Sequence, residues 1–142
     1  MRHVLIDADV LSAFLTKNSS NLTGKRSAVV RKLIEFQDDA EIELFVSHLV
    51  MAEAVAGLPD KAGVRQRAGK FLAGITKLAL TEREQKRILG VARILHMKKV
   101  RSNTSAVDAS NTMLALTRNM EILYLDKCYE AHKLAFPQLK LA

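Results

Sequence analysis

Residues 4–11 read Val-Leu-Ile-Asp-Ala-Asp-Val-Leu, and this is the most informative segment of the sequence. Aliphatic residues run directly into Asp7 and Asp9, and apolar residues resume immediately afterwards. Residues 2–6 therefore predict a short buried strand, since strands buried on both faces of a parallel sheet are near-continuous aliphatic runs. A carboxylate that follows such a strand lies where open α/β sheets usually bind their ligands. Asp7 is the first candidate for a functional residue.

Strand and helix patterns alternate along the rest of the chain. Further short strands are predicted at residues 43–46, 77–80, 121–125 and 139–141. Helices are predicted from Asp9 or Ser12, at 25–37, 49–56, 61–74, 81–98 and 105–118, and after Asp126. This alternation predicts a three-layer α/β/α sandwich with a mainly parallel, four- to five-stranded sheet. No repeat or linker interrupts it, so residues 1–142 are expected to form a single domain.

The composition narrows the setting and the partners. The 22 Lys and Arg outnumber the 15 Asp and Glu, which gives a net charge of +7 and favours a polyanionic partner without identifying one. Cys128 is the single cysteine, so no internal disulfide is possible and a cytoplasmic protein is expected. No apolar run is long enough to span a membrane, and no membrane is expected among the partners of this protein.

Glu53 is the most isolated acid of the chain. It is the only charge between Leu49 and Leu58 in a helix otherwise made of aliphatic residues and Gly. A solvated Glu usually has polar neighbours three or four positions away, and these are absent here. We therefore expect Glu53 to be buried and functional, because a buried lone carboxylate must be paired or bound to a cation.

Asp9, Asp108 and Asp126 each have a structural alternative. Asp9 can be the N-cap of the first helix, Asp108 fits a capping box with Ser105, and Asp126 can cap the helix that follows it. Together with Asp7 and Glu53, however, they occupy strand ends and first helical turns. Such positions converge at the switch point of a doubly wound sheet. Several like charges there need cations, and hard oxygen ligands select Mg²⁺ or Mn²⁺.

The ordered set of acids resembles the PIN-domain family of metal-dependent ribonucleases, which includes the VapC-like toxins. The resemblance rests on Asp7-x-Asp9, Glu53 at the end of a Ser-His-Leu-Val-Met-Ala-Glu segment, Asp108-Ala-Ser-Asn, and Leu-Tyr-Leu-Asp126, and it spans essentially the whole chain. It implies that Asp7, Glu53, Asp108 and Asp126 are the catalytic, metal-binding acids. Asp9 matches a position that supports the site.

Two residues depart from the family pattern. Tyr124 stands where Thr or Ser is frequent, and Cys128 stands where a further acid is common. Both departures argue against a second bound metal ion more than against the first.

The resemblance also implies the chemistry and the partners. One or two divalent ions would activate a water for attack on an RNA phosphodiester. Candidate RNA-binding residues are Lys98, Lys99 and Arg101 in a basic loop, with Arg65, Arg67 and Lys70 on a basic helix. A homodimer and a cognate antitoxin are the expected protein partners.

Two alternatives to a nuclease stay open. A catalytically weak or silent PIN-like module that binds RNA or a protein is compatible with Tyr124 and Cys128. A haloacid-dehalogenase-type phosphatase also has a strand ending in Asp-x-Asp, with Asp7 as nucleophile. That fold is less favoured, because the end of this chain offers only single acids and the chain is short for it.

Overall fold

The computed structural model describes residues 1–16, 24–98 and 105–142. These form five strands and seven helices, with one or two helices between successive strands. The order is β1 (Arg2–Ile6), α1 (Ala8–Leu15), α2 (Gly24–Asp38), β2 (Ile42–Ser47), α3 (His48–Ala56), α4 (Ala62–Ala73), β3 (Thr76–Leu78), α5 (Glu82–Met97), α6 (Ala106–Arg118), β4 (Glu121–Leu123), α7 (Cys128–Ala135) and β5 (Lys140–Leu141).

The strands form one parallel sheet in the order β3-β2-β1-β4-β5. Strands β2 and β3 are added in turn on one side of β1, and β4 and β5 are added in turn on its other side. The direction of winding therefore reverses between β1 and β4, where Leu5 pairs with Ile122 and Ile6 with Leu123. Ligands bind at such a switch point, outside the carboxyl ends of the strands.

Helices cover both faces of the sheet, because successive strand residues point to opposite sides. Val4 and Ile6 pack with α1, α2, α3 and α4, whereas Leu5 packs with α5 and α6. Ile122 and the α7 residue Tyr129 share a further cluster on the α6 side. The predicted three-layer α/β/α sandwich with a parallel sheet is confirmed.

The helix ends follow the local chemistry of the sequence. Ser47 caps α3 by accepting the N–H of Val50 at 3.1 Å, and Thr81 forms a capping box with Glu84. Asn119 ends α6 in the left-handed conformation with φ of 54°. No helix in the described ranges is long and apolar enough to cross a membrane.

Candidate functional site

Asp7 is the single residue between β1 and α1, next to the end of β4. Its backbone N–H donates to the carbonyl of Leu123 at 3.0 Å, and its carbonyl accepts the N–H of Leu11 at 3.1 Å. Asp7 itself is the N-cap residue of α1, so the prediction that Asp9 or Ser12 starts this helix is wrong. The Asp7 side chain makes no capping hydrogen bond and is free to serve other partners.

The Asp7 carboxylate is buried in a polar network. Only 2% of the residue is exposed, and Oδ1 accepts from Asn111 Nδ2 at 2.8 Å and from the Tyr129 hydroxyl at 2.9 Å. Asn111 Nδ2 also donates to the Tyr129 oxygen at 3.0 Å. Since both partners are completely buried, this is a fixed arrangement in the core of the molecule.

Asp108 has the capping role that its sequence context suggests, and its carboxylate also contacts Tyr129. Its backbone N–H donates to Ser105 Oγ at 3.0 Å, and its Oδ2 accepts the Ser105 N–H at 3.4 Å, which completes a capping box at the start of α6. Its other oxygen, Oδ1, lies 3.2 Å from the Tyr129 hydroxyl. The structural cap therefore orients Asp108 toward the same hydroxyl that Asp7 contacts.

Asp9, Glu53 and Asp126 are exposed around this buried centre. The expectation that Glu53 is buried is wrong, because α3 buries Val50 and Ala54 and turns Glu53 outward. Asp126 lies in the turn after β4, where its Oδ1 accepts the N–H of Cys128 at 2.9 Å. The N-cap residue of α7 is Lys127, so the prediction that Asp126 caps this helix is wrong.

The charges of these acids influence one another. Burial raises the pKa of Asp7 to about 7, and Asp108 and Asp9 add to the rise, whereas hydrogen bonds from Tyr129 and the Ala8 N–H oppose it. Although Glu53 is exposed, partial desolvation of its carboxylate raises its pKa, and Asp108 and Asp9 add to the rise. The pKa of Asp9 rises through burial and then through Asp126 and Asp108. We call the group the acid cluster; its members are Asp7, Asp9, Glu53, Asp108 and Asp126.

The two departures from the family pattern lie beside the cluster. Burial, then Asp108 and Asp126, raise the pKa of the Cys128 thiol, so this side chain is a neutral thiol where a further carboxylate is common. The Tyr124 hydroxyl donates to Glu130 at 3.2 Å, away from the acids. Neither side chain adds a negative charge to the site.

The acid cluster has the ligand type that a divalent cation prefers, but its side chains do not surround a common point. Carboxylate oxygens suit Mg²⁺ or Mn²⁺, and Asn111 Oδ1, fully buried, has no hydrogen-bond partner among the described residues. In the same part of the chain, no group of three or more His, Cys, Asp or Glu side chains is arranged to hold a metal ion. Asp7 and Asp108 are both held by Tyr129, whereas the other three acids are exposed.

The basic residues suggested by sequence are dispersed. Lys98 is exposed at the end of α5, whereas Lys99 and Arg101 lie outside the described residues. Arg65 pairs with Asp60, and Arg67 donates to the Leu15 carbonyl at 2.6 Å, which gives both a structural role.

A cavity of about 640 Å³ lies apart from the acids, beneath α2 and α4. Its lining includes Lys70, Arg67 and the aromatic residues Phe14, Phe36 and Phe71, but no member of the acid cluster. Lys70 therefore lines a cavity to which none of the acids contributes.

Sequence reasoning missed three buried polar residues. Asn111 and Tyr129 contact Asp7, and His132 Nδ1 lies 2.7 Å from Thr112 Oγ1 behind them. Asn111 stands one helical turn after Asp108, and Tyr129 stands three residues after Asp126. Those spacings from two candidate acids are the signal that could have identified the first two.

Comparison with known proteins identifies the fold. No family model and no curated protein matches the sequence. Among solved structures, VapC20 of Mycobacterium tuberculosis, a Sarcin-Ricin loop cleaving toxin, superposes with a TM-score of 0.66 at 15% identity, covering 90% of this chain and 93% of that one. VapBC2 from Rickettsia felis, bound to a DNA fragment from their promoter, superposes with a TM-score of 0.70 at 12% identity, covering 99% and 97%. The chain therefore has the PIN-domain fold of the VapC toxins, as the order of its acids implies.

Proposed function

We propose that the protein is an Mg²⁺- or Mn²⁺-dependent endoribonuclease that hydrolyses RNA phosphodiester bonds as the toxin of a VapBC-type toxin–antitoxin system. One observation carries the proposal. Asp7 and Asp108, from distant parts of the chain, meet at the Tyr129 hydroxyl with three further acids around them, at the switch point of the sheet. The shared fold with a toxin described as cleaving the Sarcin-Ricin loop supports it.

Each residue has a defined part in this function. A bound divalent ion would lower the pKa of a water and offset charge on the phosphate. Asp7 and Asp108 would hold that ion, because their carboxylates are already fixed next to each other. Glu53 and Asp126 would complete the ligand set from the exposed side, with Asp9 in support.

RNA would approach across the exposed acids. Lys98 is a candidate contact to its phosphates, together with Lys99 and Arg101, since neutralising backbone charge supplies most of the affinity for nucleic acid. Single-stranded or looped RNA is the favoured substrate, because its backbone can enter a narrow cleft.

The proposal includes protein partners and a location. A second copy of the chain and an antitoxin are the expected partners, and the cytoplasm is the expected compartment. The Rickettsia felis structure is of a VapBC assembly, and by analogy with it we expect an antitoxin partner for this protein.

A catalytically silent PIN-like module is the second candidate. It is favoured by the neutral Cys128 thiol and by the absence of a ready-made three-ligand group among the described residues. Such a module would bind RNA or a protein without cleaving it. A phosphatase that uses Asp7 as nucleophile is less favoured, because Oδ1 of Asp7 is already enclosed by Asn111 and Tyr129.

The test is cleavage of structured and unstructured RNA by the purified protein with Mg²⁺, with Mn²⁺ and with EDTA. Asp7→Asn and Asp108→Asn are expected to abolish metal-dependent cleavage. Glu82→Gln is the matched control, because Glu82 is an exposed acid outside the acid cluster that pairs with Lys86 at 4.0 Å. RNA that stays intact with wild-type protein and either metal contradicts the nuclease. Hydrolysis of p-nitrophenyl phosphate through a phospho-Asp7 intermediate would indicate the phosphatase instead.

A further inference from the structure

We propose that Tyr129, assisted by Asn111, is a positioning residue that holds Asp7 and Asp108 together as a pair of cation ligands. This inference rests on the proposed function, since it concerns the same acids. It adds two neutral residues to the site, neither of which touches the reacting atoms.

The geometry joins two carboxylates at one hydroxyl. The Tyr129 oxygen lies 2.9 Å from Asp7 Oδ1 and 3.2 Å from Asp108 Oδ1. A phenol has a single proton, so it donates to one carboxylate at a time. Two ionised carboxylates this close repel each other, and a donor placed between them reduces that repulsion. The hydroxyl thus allows the end of β1 and the first turn of α6 to present their acids side by side.

Asn111 fixes the direction of this arrangement. Its amide nitrogen donates both to Asp7 Oδ1, at 2.8 Å, and to the Tyr129 oxygen, at 3.0 Å. The carboxylate can only accept, so the amide must turn its NH₂ group toward Asp7. Because Asn111 donates to the Tyr129 oxygen, the Tyr129 hydroxyl proton is available to donate to Asp7 or Asp108.

Packing alone does not explain either polar group. The Tyr129 ring packs with Ala115, Ile122 and Leu139, and a phenylalanine would fill the same space without burying a hydroxyl. Asn111 is fully buried and leaves Oδ1 without a partner among the described residues, which is unfavourable in the core. The hydrogen bonds of these groups with the two acids therefore explain why polar side chains are buried here.

The test compares Tyr129→Phe with Tyr124→Phe as a matched control. Tyr124 is a neighbouring ring, 5.8 Å from Tyr129 between centroids, but its hydroxyl contacts Glu130 and not the acids. Mn²⁺ binding is measured by calorimetry without RNA, and RNA cleavage is measured separately for kcat and KM. Tyr129→Phe is expected to weaken Mn²⁺ binding roughly tenfold and to lower kcat with KM unchanged, as loss of a group that orients a metal ligand does. Tyr124→Phe is expected to change neither.

The outcomes separate this inference from the nuclease function. Unchanged Mn²⁺ affinity and kcat in a folded Tyr129→Phe variant overturn the positioning role and leave the nuclease standing. Weaker Mn²⁺ binding in Tyr129→Phe, with no RNA cleavage even by wild type, supports the positioning role and contradicts the nuclease. A wild-type chain that binds no Mn²⁺ overturns both. Asn111→Leu, which keeps the number and branching of the side-chain heavy atoms and removes the amide, is the second variant; it is expected to weaken Mn²⁺ binding in the same direction.

Discussion

The amide of Asn111 donates a hydrogen bond of 2.8 Å to the carboxylate of Asp7, 104 residues away in the sequence. This contact links α6 to the end of β1 across the switch point of the sheet. It holds a buried acid in place where solvation is poor and other acids are near. A site of this kind is expected to reduce the stability of the metal-free protein, because charges assembled for a cation repel one another without it.

Asp7→Asn is expected to stabilise the metal-free protein at alkaline pH. Burial, as the main cause, raises the pKa of Asp7 from 3.8 to about 7. The stability linked to this group is therefore complete below pH 3.8 and is lost as the pH rises to about 7. We expect Asp7→Asn to raise the free energy of unfolding by ~2 kcal/mol at about pH 8 and to change it little at about pH 4. Urea unfolding in EDTA at the two pH values measures this.

Asp60→Asn is the control for that experiment. It removes the same charge from an exposed residue that pairs with Arg65. Its effect is expected to be small at both pH values, because exposed ion pairs contribute little. An equal gain from Asp7→Asn in acid and in alkali would show that the repulsion of an ionised Asp7 is not the cause.

Glu84→Gln is expected to destabilise the fold without affecting the acid cluster. Arg118 donates to both oxygens of Glu84, at 2.6 and 2.9 Å, and also to the Ala79 carbonyl at 3.0 Å, which ties the start of α5 to the end of α6. Its guanidinium lowers the pKa of Glu84 from 4.5 to about 2, so this stabilisation is present above pH 4.5 and is lost as the pH falls toward 2. The loss in unfolding free energy is expected to be ~2 kcal/mol at neutral pH and to shrink by more than half near pH 3.

Chemical denaturation at both pH values gives the measurement, with Glu82→Gln as the control. Glu82 lies in the same helical turn and lacks the contact to Arg118. A loss for Glu84→Gln that does not depend on pH would contradict the role assigned to the ion pair.

The position of Asp7 could be predicted from sequence because its signal is local. An aliphatic run that ends in an acid indicates a buried parallel strand and its carboxyl end, and the capping residues Thr81 and Ser105 likewise act within one helical turn. Alternation of such elements was sufficient to predict the layers of the sandwich. It could not give the order of the strands, which depends on packing between distant segments.

The contacts of Asn111 and Tyr129 with Asp7 could not be predicted for the same reason, although the spacing of both residues from the candidate acids draws attention to them. Tyr129 reaches Asp7 only because α7 packs against the sheet 122 residues later, and no periodicity in the sequence encodes that distance. The exposure of Glu53 could not be predicted for a different reason. Leu49 and Val55 are 40% and 46% exposed, so α3 is an apolar helix with an uncovered face, and its composition wrongly suggested burial for the acid.

Ser105→Ala is expected to affect both stability and the site. Ser105 caps α6 through the N–H of Asp108 and is bound in turn by the Asp108 carboxylate. Its loss should lower the free energy of unfolding by ~1 kcal/mol and loosen Asp108, with Mn²⁺ binding weakened severalfold. Thr81→Ala removes the equivalent capping box of α5, remote from the acids, and should produce only the loss of stability. Equal Mn²⁺ affinities in the two variants would show that the cap does not orient Asp108.

Cys128→Asp is expected to tighten metal binding while destabilising the metal-free protein. The Cys128 thiol is half-buried among Asp108, Asp126 and Asp7, the negative charges of which keep it protonated after burial has raised its pKa. A carboxylate there adds an oxygen ligand and one more repulsion. Mn²⁺ affinity measured by calorimetry should rise about tenfold, and the melting temperature in EDTA should fall at alkaline pH. Cys128→Ser, a neutral variant of similar size, should change neither; unaltered Mn²⁺ affinity in Cys128→Asp would place this side chain outside the reach of the ion.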